Sequence, residues 1–230
     1  VVKADGYGHG AETVAKAALI GGADSLGVAT VEEGIQLRNA GLKCQILILG
    51  NLINASELHT ALCWDLIPTI SGIREAILCN NIAENTTKKF VIHLKVDTGM
   101  TRLGCDCNDV QQLISKIDDL ENVSLKGIYS HLAIAESMKV ESNCKTFTKT
   151  QLNRFEKVLN NLSKKNRHIC KHIANSSGTL SDSCLHFDMV RVGLSLYGYF
   201  PVNECESELK LTPALKVKAR VTLIRDVEKG

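Results

Sequence analysis

The chain has 230 residues, of which 44% are hydrophobic and 4% aromatic, a size and composition that suit one large α/β domain. Its 27 Lys and Arg and 25 Asp and Glu form no concentrated basic run, which argues against a nucleic-acid partner. No apolar stretch is long enough to cross a membrane, and no signal peptide precedes the first predicted strand, so we expect a cytoplasmic protein without a membrane partner.

Strand and helix signals alternate eight times along the chain. Most predicted strands are short apolar runs without strict polar alternation, as expected for strands that are covered on both faces. These strands are Val1–Ala4, Ser25–Thr30, Gln45–Gly50, Ile67–Ile70, Phe90–Asp97, Leu125–Leu132, Lys171–Asn175 and Met189–Leu196. Eight strands with helical crossovers favour a (β/α)8 TIM barrel over an open sheet.

Helix signals lie between these strands. Three pairs have capping-box spacing and predict helix starts: Thr30 with Glu33, Asn54 with Glu57, and Asn108 with Gln111. Gly41 is placed to end the helix that starts at Thr30. A later helix carries four apolar side chains on one face, namely Leu152, Phe155, Leu159 and Leu162.

The pattern changes after the last predicted strand. Residues 200–213 resemble a loop, and Leu215–Val227 alternates like an antiparallel strand. We therefore assign residues 1–212 to the barrel and residues 213–230 to the start of a C-terminal β domain. The chain lacks an initial Met and starts within a strand, so we expect a fragment of a longer protein.

Nine cysteines are scattered along the chain without Cys-x-x-Cys spacing. A zinc or redox site needs closely spaced pairs, and an odd number argues against a closed set of disulfides. We interpret the cysteines mostly as small buried hydrophobic residues in a reducing compartment, and predict no metal site.

The first ten residues hold the strongest candidate for chemistry. Two valines lead into Lys3, and Gly6, Gly8 and Gly10 follow. Lys3 would then lie at the carboxyl end of the first barrel strand, where barrel enzymes bind their ligands. Partial desolvation makes a lysine amine easier to deprotonate, and a neutral amine can form a Schiff base with a carbonyl group. The alternative is a lysine that merely extends from the strand end into water.

The other strand ends supply further polar groups. The loops after the last two strands are the usual phosphate site of this barrel, so Ser176 and the backbone at Gly193 are candidates for phosphate binding. Each residue also has a structural interpretation. His131 could be a satisfied core histidine. Arg102 could pair with Asp97 or Asp106, and Arg191 with Asp188.

Five motifs appear in order along nearly the whole chain: VVKADGYGHG, KVDTGMTRLG, SHLA, IANSSG and VRVGLSLYG. Together they resemble the alanine racemase family, whose members are fold-type III pyridoxal phosphate enzymes. The first two motifs are specific, whereas SHLA alone would be weak evidence. The resemblance continues into residues 215–230, which are similar to the start of the family's C-terminal β domain.

The resemblance implies a cofactor site. Lys3 would bind pyridoxal 5'-phosphate as a Schiff base and act as one catalytic base. Arg191 would donate to the pyridine nitrogen, and Arg102 would contact the phenolic oxygen and help to place the substrate carboxylate. The full implied set of cofactor-binding residues is Lys3, Tyr7, Arg102, His131, His172, Asn175, Ser176, Arg191, Gly193 and Leu194. Lys95 matches a lysine that is often carbamylated and that orients Arg102.

The implied reaction is two-base interconversion of L-alanine and D-alanine, which supplies D-alanine for peptidoglycan. The resemblance also implies a homodimer in which a tyrosine of the partner subunit, beyond residue 230, is the second base. The chain alone is then expected to be inactive. Two alternatives remain open: a racemase for serine or another small amino acid, and a non-catalytic single-domain barrel that binds pyridoxal phosphate.

Overall fold

A parallel sheet forms the centre of the molecule. The computed structural model describes residues 1–84, 86–134, 143–201 and 209–229. The strands are β1 (Ser25–Val28), β2 (Gln45–Asn51), β3 (Ile67–Ile70), β4 (Phe90–Asp97), β5 (Cys105–Asp106), β6 (Val123–Tyr129) and β7 (Cys170–His172). The main path runs β1-β2-β3-β4-β6-β7, and the two-residue strand β5 pairs with β4. All of these pairs are parallel.

A few isolated backbone hydrogen bonds close this curved sheet. The Arg191 amide donates to the Ala174 carbonyl at 3.0 Å, which joins the segment after residue 187 to the one that follows β7. The Val1 amine then donates to the Val192 carbonyl at 2.7 Å. The Val2 amide donates to the Gly27 carbonyl of β1 at 2.8 Å. Eight parallel segments therefore surround one axis, which confirms the predicted (β/α)8 barrel.

The first and eighth predicted strands are wrong as regular strands. Only Val1 and Val2 precede a helical turn, α1 (Lys3–Gly8), in which residues 4–7 have left-handed backbone angles. At the other position, a 3₁₀ helix (Leu194–Tyr197) occupies the second half of Met189–Leu196. The left-handed angles of residues 4–7 and the 3₁₀ turn at Leu194–Tyr197 replace the extended backbone that a strand ladder requires.

Helices cover the outside of the sheet. They are α2 (Ala11–Ile20), α3 (Val31–Asn39), α4 (Ala55–Cys63), α5 (Ile73–Ala83), α6 (Val110–Asp118), α7 (Asn143–Asn160) and α8 (Ser176–Ser181). Two of the predicted caps are confirmed, since Thr30 accepts from the Glu33 amide and Asn54 from the Glu57 amide. Gly41 follows the end of α3 with a φ of +84°, as predicted.

The third predicted cap is wrong. Helix α6 starts after Asp109, which makes no side-chain cap hydrogen bond, and the Asn108 amide instead donates to Asp106. The Asp106 carboxylate accepts that amide in a local turn, so the chain turns one residue later than the capping box requires. The predicted apolar face of α7 is confirmed for three of its four residues, because Leu152 and Phe155 are buried and Leu159 packs against the same core. Leu162 is buried too, but it follows the end of the helix at Asn160.

Strand alternation separates two environments. Ile92, Leu94 and Val96 belong to the hydrophobic core between sheet and helices. Their neighbours His93 and Lys95 are buried as well, but they point to the opposite face, the interior of the barrel. The barrel interior is thus polar, while the apolar core lies outside it.

Residues 209–229 contain no regular secondary structure, so the strand predicted at Leu215–Val227 is absent from the structure. A strand requires hydrogen bonds to a neighbouring strand, and this segment is exposed; Val217 and Ile224, for example, are 90% and 86% exposed. The domain boundary at residue 212 stays a prediction. Within the described residues, no helix is both long enough and apolar enough to cross a membrane.

Two of the predicted capping boxes begin with an asparagine, Asn54 or Asn108, and these two residues allow a paired test. Replacing Asn54 by Ala removes the side-chain oxygen that accepts the Glu57 amide at 2.8 Å. We therefore expect the free energy of unfolding to fall by about 1 kcal/mol. Replacing Asn108, an exposed residue that caps no helix, by Ala should change the free energy of unfolding by much less. Urea denaturation of both variants measures the difference, and equal losses would contradict the assigned cap.

Candidate active site

Positively charged side chains gather at the carboxyl ends of the barrel strands. The Lys95 amine lies 5.4 Å from the centre of the Tyr129 ring, and the Arg191 guanidinium lies 5.0 Å from it. Burial, followed by the charges of Arg102, Arg191 and Lys3, lowers the pKa of Lys95 to about 8, against a smaller opposing effect of Asp97. The structure therefore brings these four predicted cationic residues to one end of the barrel.

Lys3 stands at the start of a strained turn. Ala4, Asp5 and Tyr7 have φ values of 51°, 52° and 54°, and Gly6 has 61°. Left-handed angles cost side-chain-bearing residues roughly 1–2 kcal/mol each, so surrounding contacts must hold such a turn. One contact joins the turn to the start of α2, because the Asp5 carboxylate accepts the Ala11 amide at 2.8 Å.

Glu33 supplies the second contact, and the sequence analysis assigned it only a capping role. One carboxylate oxygen accepts the Ala4 amide at 2.7 Å, and the other accepts the Ala29 amide at 2.6 Å. Glu33 thus joins the residue after Lys3 to the end of β1. Such a bond between distant segments has no local sequence signature.

A small polar cradle lies across the barrel mouth. The Ser176 hydroxyl accepts the Gly193 amide at 2.9 Å and the Ser195 amide at 3.2 Å. A Cβ at Gly193 would lie 2.9 Å from the Tyr7 hydroxyl, so the absence of a side chain lets Tyr7 approach this backbone. The predicted phosphate residues Tyr7, Ser176 and Gly193 are therefore in one place.

The cradle fits a phosphate group. In the part of the chain that the structure describes, the Ser195 hydroxyl is buried without a hydrogen-bond partner. A buried hydroxyl without a partner costs free energy, and a phosphate offers several strong acceptors. Leu194, between Gly193 and Ser195, is partly exposed and contributes its backbone to the same turn. Ser195 was not among the predicted site residues.

Arg191 is buried, and within the described parts of the chain none of its hydrogen bonds is to a carboxylate. Its guanidinium donates to the Ser130 carbonyl at 2.7 Å and to the Ile173 carbonyl at 3.2 Å. It also contacts Nδ1 of His172 at 2.8 Å and Nδ1 of His131 at 3.3 Å. The alternative of a structural pair between Arg191 and Asp188 is wrong, because Asp188 instead pairs with Lys171 at 3.1 Å.

Three histidines beneath the barrel mouth are kept neutral. Burial, and secondarily the charge of Arg191, lowers the pKa of His93 to about 4 and that of His172 well below 6.5. The same two causes lower the pKa of His131 to about 3. Neutral imidazoles can accept hydrogen bonds from the arginine, which protonated ones cannot. His93 was not predicted, although it lies two residues before Lys95 on the same strand face.

Arg102 and Asn175 differ in how the structure holds them. Arg102 is exposed in the loop after β4. The Asp97 carboxylate, one of its two proposed partners, accepts the amides of Gly99 and Thr101. Asn175 caps α8 by accepting the Gly178 amide at 3.0 Å and also donates to the Leu132 carbonyl at 3.3 Å. Its observed contacts hold the loop after β7 in place.

Comparison with known proteins shows the family of this chain. The model of the family described as alanine racemase, N-terminal domain, matches residues 1–201. The chain belongs to the alanine racemase family. A curated alanine racemase of Prochlorococcus marinus is 56% identical over 227 residues, which are 99% of this chain and 58% of that protein. One from a Synechocystis strain is 42% identical, covering 100% of this chain and 61% of that protein.

Solved alanine racemases share the fold. The enzyme of Clostridium difficile 630 in complex with cycloserine has a TM-score of 0.83 at 33% identity, covering 92% of this chain and 57% of that one. The Bartonella henselae alanine racemase, which has covalently bound pyridoxal phosphate, has a TM-score of 0.77 at 32% identity, covering 91% and 58%. This member of the family thus spans less than two thirds of the relatives it matches.

The Glu33 contact leads to a stability prediction. In Glu33→Gln, the one remaining side-chain oxygen can still accept one of the two backbone amides, but the side-chain NH₂ group faces the other amide. We therefore expect a loss of roughly 1–3 kcal/mol in the free energy of unfolding. Glu32→Gln, at the exposed neighbouring position, is the matched control. Urea denaturation measures both, and a Glu33→Gln variant as stable as the control would show that the turn does not depend on this carboxylate.

The neutral histidines predict acid destabilisation. Folding lowers their pKa values, so below about pH 6.5 the unfolded chain binds more protons than the folded one. The free energy of unfolding therefore decreases as the pH is lowered. We expect a loss of roughly 1–2 kcal/mol per histidine between pH 7 and pH 5. Unfolding free energies measured across this interval should show a shallower slope for His93→Asn but not for His59→Asn, because His59 is exposed. Equal slopes in all three proteins would contradict the argument.

Proposed function

We propose that the protein carrying this chain is a pyridoxal phosphate-dependent alanine racemase of the cytoplasm, which supplies D-alanine for peptidoglycan. Membership of the family and the relatives' names support this activity. One observation of the structure carries the proposal: Lys3 and the Ser176–Gly193 cradle lie at the same end of the barrel, and Tyr7 of the Lys3 turn reaches the cradle. A ligand that joins a carbonyl group to a phosphate can therefore engage both.

The phosphate end of the cofactor is assigned to the cradle. We place the phosphate at the hydroxyls of Tyr7, Ser176 and Ser195 and at the backbone of Gly193 and Leu194. Ser176 already accepts two backbone amides, so its own proton is free to be donated to an anion. The unpartnered Ser195 hydroxyl would gain an acceptor.

The ring end is assigned to Arg191, His131 and His172. When bound, the cofactor withdraws electrons from the substrate α-carbon, which makes its hydrogen acidic. Arg191 can only donate hydrogen bonds, and its charge disfavours a proton on the pyridine nitrogen. A weaker electron sink suits simple removal and return of a proton better than transamination. The two neutral imidazoles accept from Arg191 and hold its position.

Lys95 and Arg102 are assigned to charge balance and substrate placement. With a pKa of about 8, Lys95 keeps a fraction of neutral amine near neutral pH. Addition of carbon dioxide to that amine, with loss of a proton, would give a carbamate. Its negative charge would offset the cationic cluster and orient Arg102 toward the phenolic oxygen of the cofactor and the carboxylate of alanine.

Racemisation also needs bases on both faces of the substrate. Lys3 serves one face. Two tyrosines of the described chain are engaged elsewhere, because the hydroxyl of Tyr129 binds Thr69 at 2.8 Å and that of Tyr197 donates to the Val1 carbonyl at 3.0 Å. As the resemblance implies, we assign the second base to a tyrosine of the partner subunit in a homodimer, outside residues 1–230.

The test is racemisation of alanine by the whole protein with cofactor added. We expect activity on L-alanine and D-alanine that falls roughly 100- to 10,000-fold in Lys3→Ala, since the anchor and one base are lost together. Lys43→Ala, which changes an exposed lysine, should keep full activity. Reduction with borohydride followed by peptide mass analysis should find the cofactor on Lys3.

Other outcomes decide between the alternatives. Faster turnover of serine than of alanine would favour a racemase for another small amino acid. Cofactor trapped on Lys3 without turnover of any small amino acid would favour a non-catalytic carrier of pyridoxal phosphate. Trapping on another lysine would contradict the assigned anchor.

A further inference from the structure

Two buried imidazoles continue the hydrogen bonding of Arg191 down the barrel axis. Nδ1 of His172 is 2.8 Å from the Arg191 guanidinium, and its Nε2 is 3.0 Å from Nδ1 of His93. Arg191, His172 and His93 are 7%, 0% and 6% exposed. We call these three residues the imidazole relay.

The donor and acceptor roles in the relay follow from its first member. A guanidinium only donates, so Nδ1 of His172 accepts from Arg191. A neutral imidazole carries one hydrogen, and this hydrogen is therefore on Nε2 of His172. Since Nε2 is the donor, Nδ1 of His93 must be the acceptor. One arrangement of protons satisfies both contacts.

The backbone is shaped to admit the His93 ring. A register shift in the pairing of β4 with β6 places Gly127 opposite His93. A Cβ at Gly127 would lie 2.4 Å from Nδ1 of His93 and 2.5 Å from its Cε1. Because these distances are below any contact that a Cβ tolerates, the glycine is needed for the ring to occupy this place.

His172 is held on its flat side as well as at its edges. The Tyr129 ring stacks on it with centres 4.6 Å apart and an angle of 7° between the planes. The Tyr129 hydroxyl is fixed by Thr69 at 2.8 Å, and the Thr69 hydroxyl donates to the Ile48 carbonyl at 2.6 Å. With Arg191 and His93 at its two nitrogens, the His172 ring has a single position.

We propose that His93 is a positioning residue for the active site: its Nδ1 accepts the Nε2 hydrogen of His172 and so holds the His172 acceptor against Arg191. The relay is a property of the chain's own residues, whereas its effect on turnover rests on the proposed function. Without His93, the buried Nε2 hydrogen of His172 would lack a partner, and the ring would move to find one. Arg191 would then lose the shorter of its two imidazole contacts.

A matched pair of substitutions separates this role from packing. Asn and Leu have the same branching at Cγ, and the Asn oxygen is bonded to Cγ as Nδ1 is in histidine. His93→Asn therefore keeps an acceptor where His93→Leu has a methyl group. Gly127→Ala is an independent third variant, which keeps both histidines but displaces the His93 ring.

The experiment uses the whole protein labelled with 15N in its histidines, studied by solid-state NMR without cofactor at about pH 7, where all relay imidazoles are neutral. We expect the hydrogen-bonded Nε2 signal of His172 in the wild type and in His93→Asn. It should shift in His93→Leu and in Gly127→Ala. A His172 signal that is the same in wild type and His93→Leu would overturn the relay.

Kinetics of the loaded enzyme test the consequence for catalysis. We expect kcat to fall roughly tenfold in His93→Leu and Gly127→Ala, with KM for alanine nearly unchanged, and to recover in His93→Asn; a tenfold effect is the size of one hydrogen bond within a buried network. If the NMR signal shifts while kcat does not, the positioning role is overturned. If the wild type does not racemise alanine, the proposed function fails, and the NMR result still decides the relay.

Discussion

The arrangement of the barrel interior depends on Arg191, a buried guanidinium with no carboxylate partner among the described residues. A guanidinium that is taken out of water must have its hydrogen bonds satisfied, and Arg191 satisfies them with two carbonyls and two imidazoles. Acceptors of this kind leave its charge uncompensated. Burial first and that charge second lower the pKa values of His93 and His172 and keep both imidazoles neutral. For Lys95, burial and the charge of Arg102 lower the pKa more than the charge of Arg191 does.

The fold tolerates this polar interior because its stability comes from the hydrophobic core between the sheet and the helices. The apolar residues of the strands face the helices and form a continuous core around the barrel. The inward positions, such as Thr69, His93 and His172, are released from packing against helices and can carry polar groups. Their cost is limited, since most of their polar atoms have partners. The division between an apolar outer core and a polar axis is what allows a reactive site in the middle of a stable sheet.

The sequence predicted the parts of this structure that repeat locally. Apolar runs located six central strands, and the short motifs located Ser176 after the last of them. The motifs also located Lys3 and Arg191, which lie in the two irregular segments that complete the barrel wall. The left-handed turn at residues 4–7 was missed, since it depends on Glu33, which is distant in the chain. The roles of His93 and Gly127 were missed for a similar reason, because the register shift between β4 and β6 brings them together. The alternation of side chains along β4 could have predicted, from Lys95, that His93 faces the barrel interior. It could not have predicted that His172 is the partner of His93.

The two segments of the barrel wall that carry the site are joined to each other by isolated hydrogen bonds. Regular ladders connect β1 through β7, whereas the eighth segment and the first residues are linked by isolated contacts at Val1 and Val2. The phosphate cradle at Gly193 belongs to one side of this seam, and the Lys3 turn belongs to the other. A molecule that binds to both sides connects them across the seam, and its binding free energy stabilises the barrel wall. Hydrogen exchange at the seam would then report occupancy of the site.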